Sequence, residues 1–416
     1  DGWNYAVNIV NPNGFKEMIP APAAGYTAGT FLLSAAGGNH VLSMLDKKGK
    51  LAYDVYGAAN PSLSLDVSTH SVSTFGSKVY FVSDNRLLIT DALKLTQQAS
   101  LSVTGGRSFV GVNTQKAYLG TANGIYLVNL GDSPSVGSLI TGTGGETGKM
   151  LCSNGYVFAV QKNKGVVVID AETNAVVKTI SGNYLLLTQI ADGTVWAGAG
   201  TLLTGIDPAT LESTDSTLPA NAALASDWSD WNSTLFFGDA GANTLYWVNA
   251  GYAAHPNSVF SYNTGQPAST ASSLFSLPDE TGLAFSKAAI SMNYQLNQLT
   301  VSADKTTGAA VENRLYMVDA SNGDLLNTFA PALNGGVTGI SYPDKAPKIS
   351  LAGSYTFALN AAPLVVPLNG QLTDPDNPAY NMTSVVSSGN TDLVTASVAD
   401  NSLTITPQAG ESGNTK

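Results

Sequence analysis

The stretch GVVVIDAETNAVVKTI, Gly165–Ile180, decides the fold. Its first six residues are almost wholly valine and isoleucine, and its last five alternate. Between the two runs lies Asp170-Ala171-Glu172-Thr173-Asn174, a cluster of small polar residues that favour a turn. The pattern predicts a β-hairpin with a buried inner strand and a half-exposed outer one.

An apolar run ending in Asp or Asn, followed by a polar turn, recurs along the chain. It is found in HVLSMLDKKGKLAYDV from His40, RLLITDALKLTQQASL from Arg86, IYLVNLGDSPSVGSLI from Ile125, TLLTGIDPATLESTDSTL from Thr201, TLYWVNAGYAAHPNSVFSY from Thr244 and RLYMVDASNGDLLNTF from Arg314. The turn residues are then Asp46, Asp91, Asn129, Asp170, Asp207, Asn249 and Asp319, spaced by 45, 38, 41, 37, 42 and 70 residues. Further short strands precede each hairpin, among them Lys78–Ser83, Lys116–Gly120, Gly155–Val160, Gly193–Ala199 and Thr234–Ala240. Four strands per unit and a period of roughly 40 residues predict a β-propeller.

The long last step is read as one unit with two loops, between Asn263 and Leu283 and at Lys305–Asn313, so seven blades are expected and eight is the alternative. Residues 336–342 read as a closing innermost strand that completes the blade begun at Thr30–Ala36. Trp3–Val10 competes for the same place. After Pro343 and Pro347 the period vanishes, and short alternating strands with Pro, Gly and Asn-Thr turns suggest an immunoglobulin-like β-sandwich. The expected domains are a propeller over residues 1–343 and, over 347–416, a sandwich that is either small or truncated.

The chain has 416 residues, of which 42 are Gly and 12% are charged, so Ser, Thr, Asn and Gly must cover much of the surface. A net charge of −11 without a basic cluster argues against nucleic acid and anionic membranes as partners. No stretch approaches a membrane span, and no signal-peptide pattern follows Asp1, so any leader or lipid anchor is expected to have preceded it. The single cysteine, Cys152 in MLCSN, reads as a small buried hydrophobe.

Catalytic patterns are sparse. His40, His70 and His255 share no spacing; His40 and His255 read as solvated loop residues. TGTGGETGK, Thr141–Lys149, lacks the spacing and helix of a phosphate loop and reads as a connection between blades. Two carboxylates in LTDPDN, Leu372–Asn377, suggest at most a weak Ca²⁺ ligand set. No cofactor, catalytic set or metal site is expected.

In a propeller, the loops from each outermost strand to the next innermost strand share a face with the loops joining the two middle strands. Here these include Ser83–Asn85, Gln161–Gly165, Ser181–Tyr184, Asn221–Trp231, Lys305–Asn313 and Ala332–Gly336. SDWSDW places Trp228 and Trp231 beside Asp227 and Asp230. Loop tryptophans either plug a neighbouring blade or offer a flat apolar platform. The expected ligand site is Trp228 and Trp231, with Asp227, Asp230, Tyr184 and Asn183 as polar support.

The strings VVVIDAETNAVV, GIDPATLES and LYMVDASNGDLLNTF resemble YVTN-type propellers, and more narrowly the surface propellers of gut anaerobes, often outer-membrane lipoproteins. One branch of that group captures vitamin B12 for a TonB-dependent transporter. The resemblance covers about Thr30 to Pro343, but no string maps onto a cobamide site, and the sandwich is a departure. It implies a non-enzymatic cell-surface protein that captures a corrinoid or a glycan for an outer-membrane transporter. The alternatives are a metal-dependent, lactonase-like propeller enzyme and a protein-interaction scaffold.

Overall fold

The computed structural model describes residues 29–342 apart from 37, 47, 240–241, 250–256, 294–295 and 334, and residues 348–415 apart from 353, 369–370, 374–385, 387 and 400–401. Trp3–Val10, His255, the proline-bounded linker and Asp374–Asn377 lie outside the described residues. The chain divides into two compact units, Asp1–Asp344 and Lys345–Lys416.

The described part of the first unit is all-β, a set of four-stranded antiparallel sheets of propeller-like form. Each is given from its innermost to its outermost strand. The first sheet comprises Val337–Ser341, Thr30–Ala36, Asn39–Leu45 and Leu51–Ala52. The second holds Thr69–Phe75, Lys78–Ser83, Arg86–Asp91 and Gln97–Ser102, and the third Gly106–Asn113, Lys116–Thr121, Gly124–Asn129 and Ser135–Leu139. The fourth holds Thr147–Ser153, Tyr156–Gln161, Gly165–Asp170 and Val176–Ile180, and the fifth Leu186–Gln189, Val195–Ala199, Leu202–Ile206 and Ser213–Thr217. The sixth holds Phe236–Gly238, Thr244–Asn249, Ser258–Asn263 and Ser272–Ser276, and the seventh Leu283–Asn293, Gln298–Thr307, Ala310–Asp319 and Leu325–Phe329.

The valine run shows why these segments form sheets. Val166, Val167, Val168 and Ile169 are wholly buried, because both faces of their sheet are covered. The outer strand Val176–Ile180 alternates and leaves Val177 exposed. Apolar layers fill the spaces between consecutive sheets: Phe31, Leu42 and Phe81 between the first and second, Tyr80, Phe109 and Leu119 between the second and third, Tyr118 and Val167 between the third and fourth. Phe158 and Tyr184 lie between the fourth and fifth, Trp196, Trp247 and Val301 run through the fifth to seventh, and Leu32 with Leu315 joins the seventh to the first. Each innermost strand also touches the innermost strand of the next sheet, and that of the seventh touches that of the first, Val337–Ser341. The sheets thus follow one another around a single axis.

Val337–Ser341 pairs antiparallel with Thr30–Ala36, Phe31 opposite Ser341 and Leu33 opposite Gly339, joining segments some 300 positions apart in the chain. Every sheet repeats one turn between its two outer strands. The side-chain Oδ1 of Asp46, Asp91, Asn129, Asp170, Asp207, Asn263 or Asp319 accepts the backbone N–H of the second residue after it, at 2.8–3.0 Å.

That turn corrects the reading of the sixth unit. The residue at its outer hairpin is Asn263, whereas Asn249 ends a middle strand on the opposite face. With Asn263 in place, the last two steps become 56 and 56 residues, and the 70-residue gap disappears. The supposed loop after Asn263 contains the outer strand Ser272–Ser276, and Lys305–Asn313 is the tip of a ladder pairing Gln298–Thr307 with Ala310–Asp319 rather than an insertion. His40 is likewise no solvated loop residue: it is buried in a strand, its Nδ1 3.0 Å from the Asp66 carbonyl oxygen.

In the second unit, Lys348–Ile349 pairs with Leu372–Thr373, and Ser402–Pro407 lies between Leu364–Pro367 and Val394–Ala399. These are two small antiparallel sheets among the described residues.

The junction of the chain ends supplies a test. An added Cβ at Gly335 would lie 1.6 Å from the Ala35 carbonyl oxygen, and the Gly335 carbonyl accepts from Asn313 Nδ2. Gly335→Ala is therefore expected to cost about 2 kcal/mol or more of unfolding free energy. Gly144→Ala, whose Cβ would meet nothing within 4 Å, serves as the neutral control. Denaturant titration of both variants checks this, and equal stability would place the closure elsewhere.

Candidate functional site at the mouth of the ring

The connection from the fifth to the sixth sheet is the longest loop on the face that carries the outermost-to-innermost connections. Its stem is fastened to the sheets. Leu224 N–H donates to the Gly200 carbonyl, Trp247 Nε1–H donates to the Ala222 carbonyl at 2.9 Å, and Asn249 Nδ2 donates to the Asn221 carbonyl at 2.9 Å. The return leg is bound to the seventh sheet, with Thr234 N–H donating to the Lys287 carbonyl and Ile290 N–H to the Thr234 carbonyl.

Between these anchors the tip forms a single 3₁₀ turn, Trp228–Asp230, which Asp227 caps by accepting the Ser229 N–H at 2.9 Å. The tip reaches sheets that are not its neighbours. Trp231 meets the His70 ring edge-on, with centroids 4.9 Å apart, and the Arg107 guanidinium lies 4.3 Å from its ring centroid. Trp228 packs beside Gly148, where an added Cβ would stand 3.3 Å from Cη2, and Lys162 Nζ lies 5.9 Å from its ring. His70, Arg107 and Gly148 sit at the starts of the innermost strands of the second, third and fourth sheets. The loop thus spans the mouth of the ring.

Ion pairs surround it. Glu146 takes Arg107 Nη2 on one oxygen and Lys162 Nζ on the other, both at 2.7 Å. Hydrogen bonding from Lys162, then the charge of Arg107, holds its carboxyl below the usual range. The Trp228 Nε1–H is close enough to assist, yet it makes no hydrogen bond of standard geometry. His70 Nε2 and Asp84 Oδ1 are 2.7 Å apart, and Arg86 Nε donates to Asp66 Oδ2 at 2.7 Å. Burial, then the neighbouring Asp227 charge, raises the Asp230 carboxyl, while Lys287 opposes the shift. Backbone donation from Ser229 lowers that of Asp227.

The side chains expected at the site divide into three groups. Trp228 and Trp231 come together with Asp227 and Asp230, half-buried, their rings partnered by cations instead of standing free as a platform. Asn183 is exposed on the same face. Tyr184 is buried in the layer that also receives Trp228, and its hydroxyl is committed to Thr204 Oγ1 at 2.9 Å. The residues missed by sequence reading are His70, Arg107, Glu146 and Lys162. The one signal for two of them was positional: His70 and Arg107 each occupy the second place of an innermost strand.

Three polar atoms at the mouth, Arg107 Nη1, Trp228 Nε1 and Asn232 Oδ1, are buried without a protein partner. Among the described residues no three His, Cys, Asp or Glu side chains converge as a metal site, and no helix is long and apolar enough to cross a membrane. Burial pushes the Cys152 thiol up to about 11, which leaves it protonated and unreactive at neutral pH.

With this geometry, the class is an all-β, propeller-like protein whose loop-rich face carries one elaborated mouth. The chain belongs to the family described as a domain of unknown function, DUF5074, whose model matches residues 29–335. No curated protein matches it.

Glu146 gives the site a pH signature. Its folded carboxyl titrates below the unfolded one, so its contribution is present above the ordinary carboxylate range and is lost as pH falls through the folded value. Glu146→Gln is expected to lower stability at pH 7 by about 1 kcal/mol, since two cations lose a shared partner. The difference from wild type should shrink as pH falls below the ordinary carboxylate range and toward the folded value, where wild-type Glu146 also becomes neutral. Unfolding curves for both proteins at pH 7 and pH 3.5 check this.

Proposed function

We propose that the chain is a seven-bladed propeller followed by an immunoglobulin-like sandwich, and that it is a non-enzymatic binding protein which captures a small ligand at the mouth described above. One observation carries this reading. Aromatic surface and hydrogen-bonding groups from three separate sheets and one long loop converge there, and Arg107 Nη1, Trp228 Nε1 and Asn232 Oδ1 keep unused bonding capacity. Buried polar atoms ordinarily find partners, and small-molecule sites combine apolar walls with a few convergent polar groups. A ligand with one apolar face and several polar substituents fits, as a glycan or a corrinoid does. The resemblance to surface propellers brings forward an outer-membrane location and a TonB-dependent transporter as the receiving partner.

The test is calorimetric titration with cyanocobalamin and a panel of oligosaccharides, backed by thermal melting, since a ligand that binds only the folded state raises Tm. At least one ligand is expected to bind. Trp231→Ala should weaken that binding about 30-fold or more, which corresponds to about 2 kcal/mol for an aromatic anchor. Trp228→Phe keeps a packed ring but removes Nε1–H, so it should weaken binding while melting close to wild type. Ligand binding unaffected by both substitutions would remove the mouth as the site.

A further inference from the structure

Resting on the reading of the mouth as a ligand site, we infer that the tryptophan loop is a gate. Its tip lies closed over the mouth, latched on two cations that Glu146 holds, and a ligand enters when the tip lifts. The closed tip covers the groups a ligand would use. Arg107 Nη1, Trp228 Nε1 and Asn232 Oδ1 are all buried without a protein partner, and the Trp231 ring lies against the Arg107 guanidinium, 4.3 Å from centroid to carbon. A buried donor or acceptor left unpaired is costly. Closure therefore leaves a cost that lifting the tip, or a ligand beneath it, removes.

The fastening of the loop divides into a fixed stem and a separable tip. Directional bonds to the sheets end at Leu224, whose N–H donates to the Gly200 carbonyl, and resume at Thr234, whose N–H donates to the Lys287 carbonyl. Between them the hydrogen bonds are internal. Ser229 N–H donates to Asp227 Oδ1, Asp230 N–H to the Asp227 carbonyl, Trp231 N–H to the Trp228 carbonyl and Ser233 N–H to the Asp230 carbonyl. Such a turn keeps its own bonds when it moves as a unit. Among the described residues, no hydrogen bond of standard geometry joins residues 227–232 to the second, third or fourth sheet. Ring contacts with His70, Arg107, Gly148 and Lys162 take that place. Toward the fifth to seventh sheets the two rings pack on apolar residues, a contact without direction.

Glu146 is the positioning residue of the latch. One of its oxygens takes Arg107, which faces Trp231, and the other takes Lys162, which faces Trp228, both at 2.7 Å. A cation attracts a ring only when it is placed over the ring face. One carboxylate thus places both cations, and loss of its charge loosens both rings together.

The test needs no ligand to begin. The full chain is labelled with 5-fluorotryptophan, and its fluorine resonances are assigned by single Trp→Phe substitutions. Relaxation dispersion should show one shared microsecond-to-millisecond exchange at Trp228 and Trp231, and none at the wholly buried Trp247. Glu146→Gln should raise the minor population about threefold or more. Lys162→Gln, at a more exposed position, should raise it about twofold and serves alone if Glu146→Gln does not fold. Static Trp228 and Trp231 signals, the same exchange at Trp247, or populations indifferent to these substitutions would overturn the gate.

Ligand binding separates the gate from the reading on which it rests. Any member of the cyanocobalamin and oligosaccharide panel that binds wild type should bind Lys162→Gln about twofold tighter, because apparent affinity rises with the open fraction. Unchanged or weaker affinity would overturn the gate, as would binding to a chain whose tip is static, and either result leaves the mouth as a ligand site. Exchange that responds to Glu146→Gln while no ligand binds would uphold the moving tip and remove the ligand reading.

Discussion

A β-sheet with two apolar faces has to be covered twice, and the whole first unit follows from that requirement. Each of its sheets buries one face against the sheet before it and the other against the sheet after it. An open row would leave two faces and a strand edge in water. The row ends where it began, with Val337–Ser341 supplying the innermost strand beside Thr30–Ala36. Chain closure is thus a condition for every other contact, and close backbone approach at Gly335 marks how tightly the ends are fitted.

The mouth is a product of this arrangement. His70, Arg107 and Gly148 are far apart in the chain but occupy equivalent places in successive innermost strands, so the ring brings them to one level. The tryptophan loop is held in place by hydrogen bonds from Trp247 and Asn249 at its stem, while Trp228 and Trp231 at its tip pack against the apolar layer of the fifth to seventh sheets. Cation–π contact with Arg107 contributes on the order of 1 kcal/mol where the partners are partly desolvated.

Sequence reading succeeded where local chemistry repeats. The Asp or Asn of each outer hairpin binds its own turn, so the residue that directs the chain also announces itself in the text. It failed in the sixth sheet because Asn249 follows an apolar run just as those residues do, although its side chain serves the loop stem instead. It failed again at Lys305–Asn313, where polar residues extend a ladder beyond the core and so look like a loop. At the mouth, SDWSDW was conspicuous as a pair of loop tryptophans. Arg107 is a single basic residue inside a strand, and only the folded chain gives it Glu146 and Trp231 as company. Tyr184 stood in a loop string yet turned inward, a choice made by the space between two sheets.

One feature of the tryptophan loop bears on mechanics. A ring of sheets in which each touches only its neighbours behaves as a chain of links, and such assemblies tend to loosen one link at a time. The loop adds a chord: it leaves the circle between the fifth and sixth sheets and is fastened to the second, third and fourth. Loosening any of those sheets then disturbs a contact on the far side of the circle. The strands around the chord become a truss, in which loosening one sheet is resisted by the others through the loop.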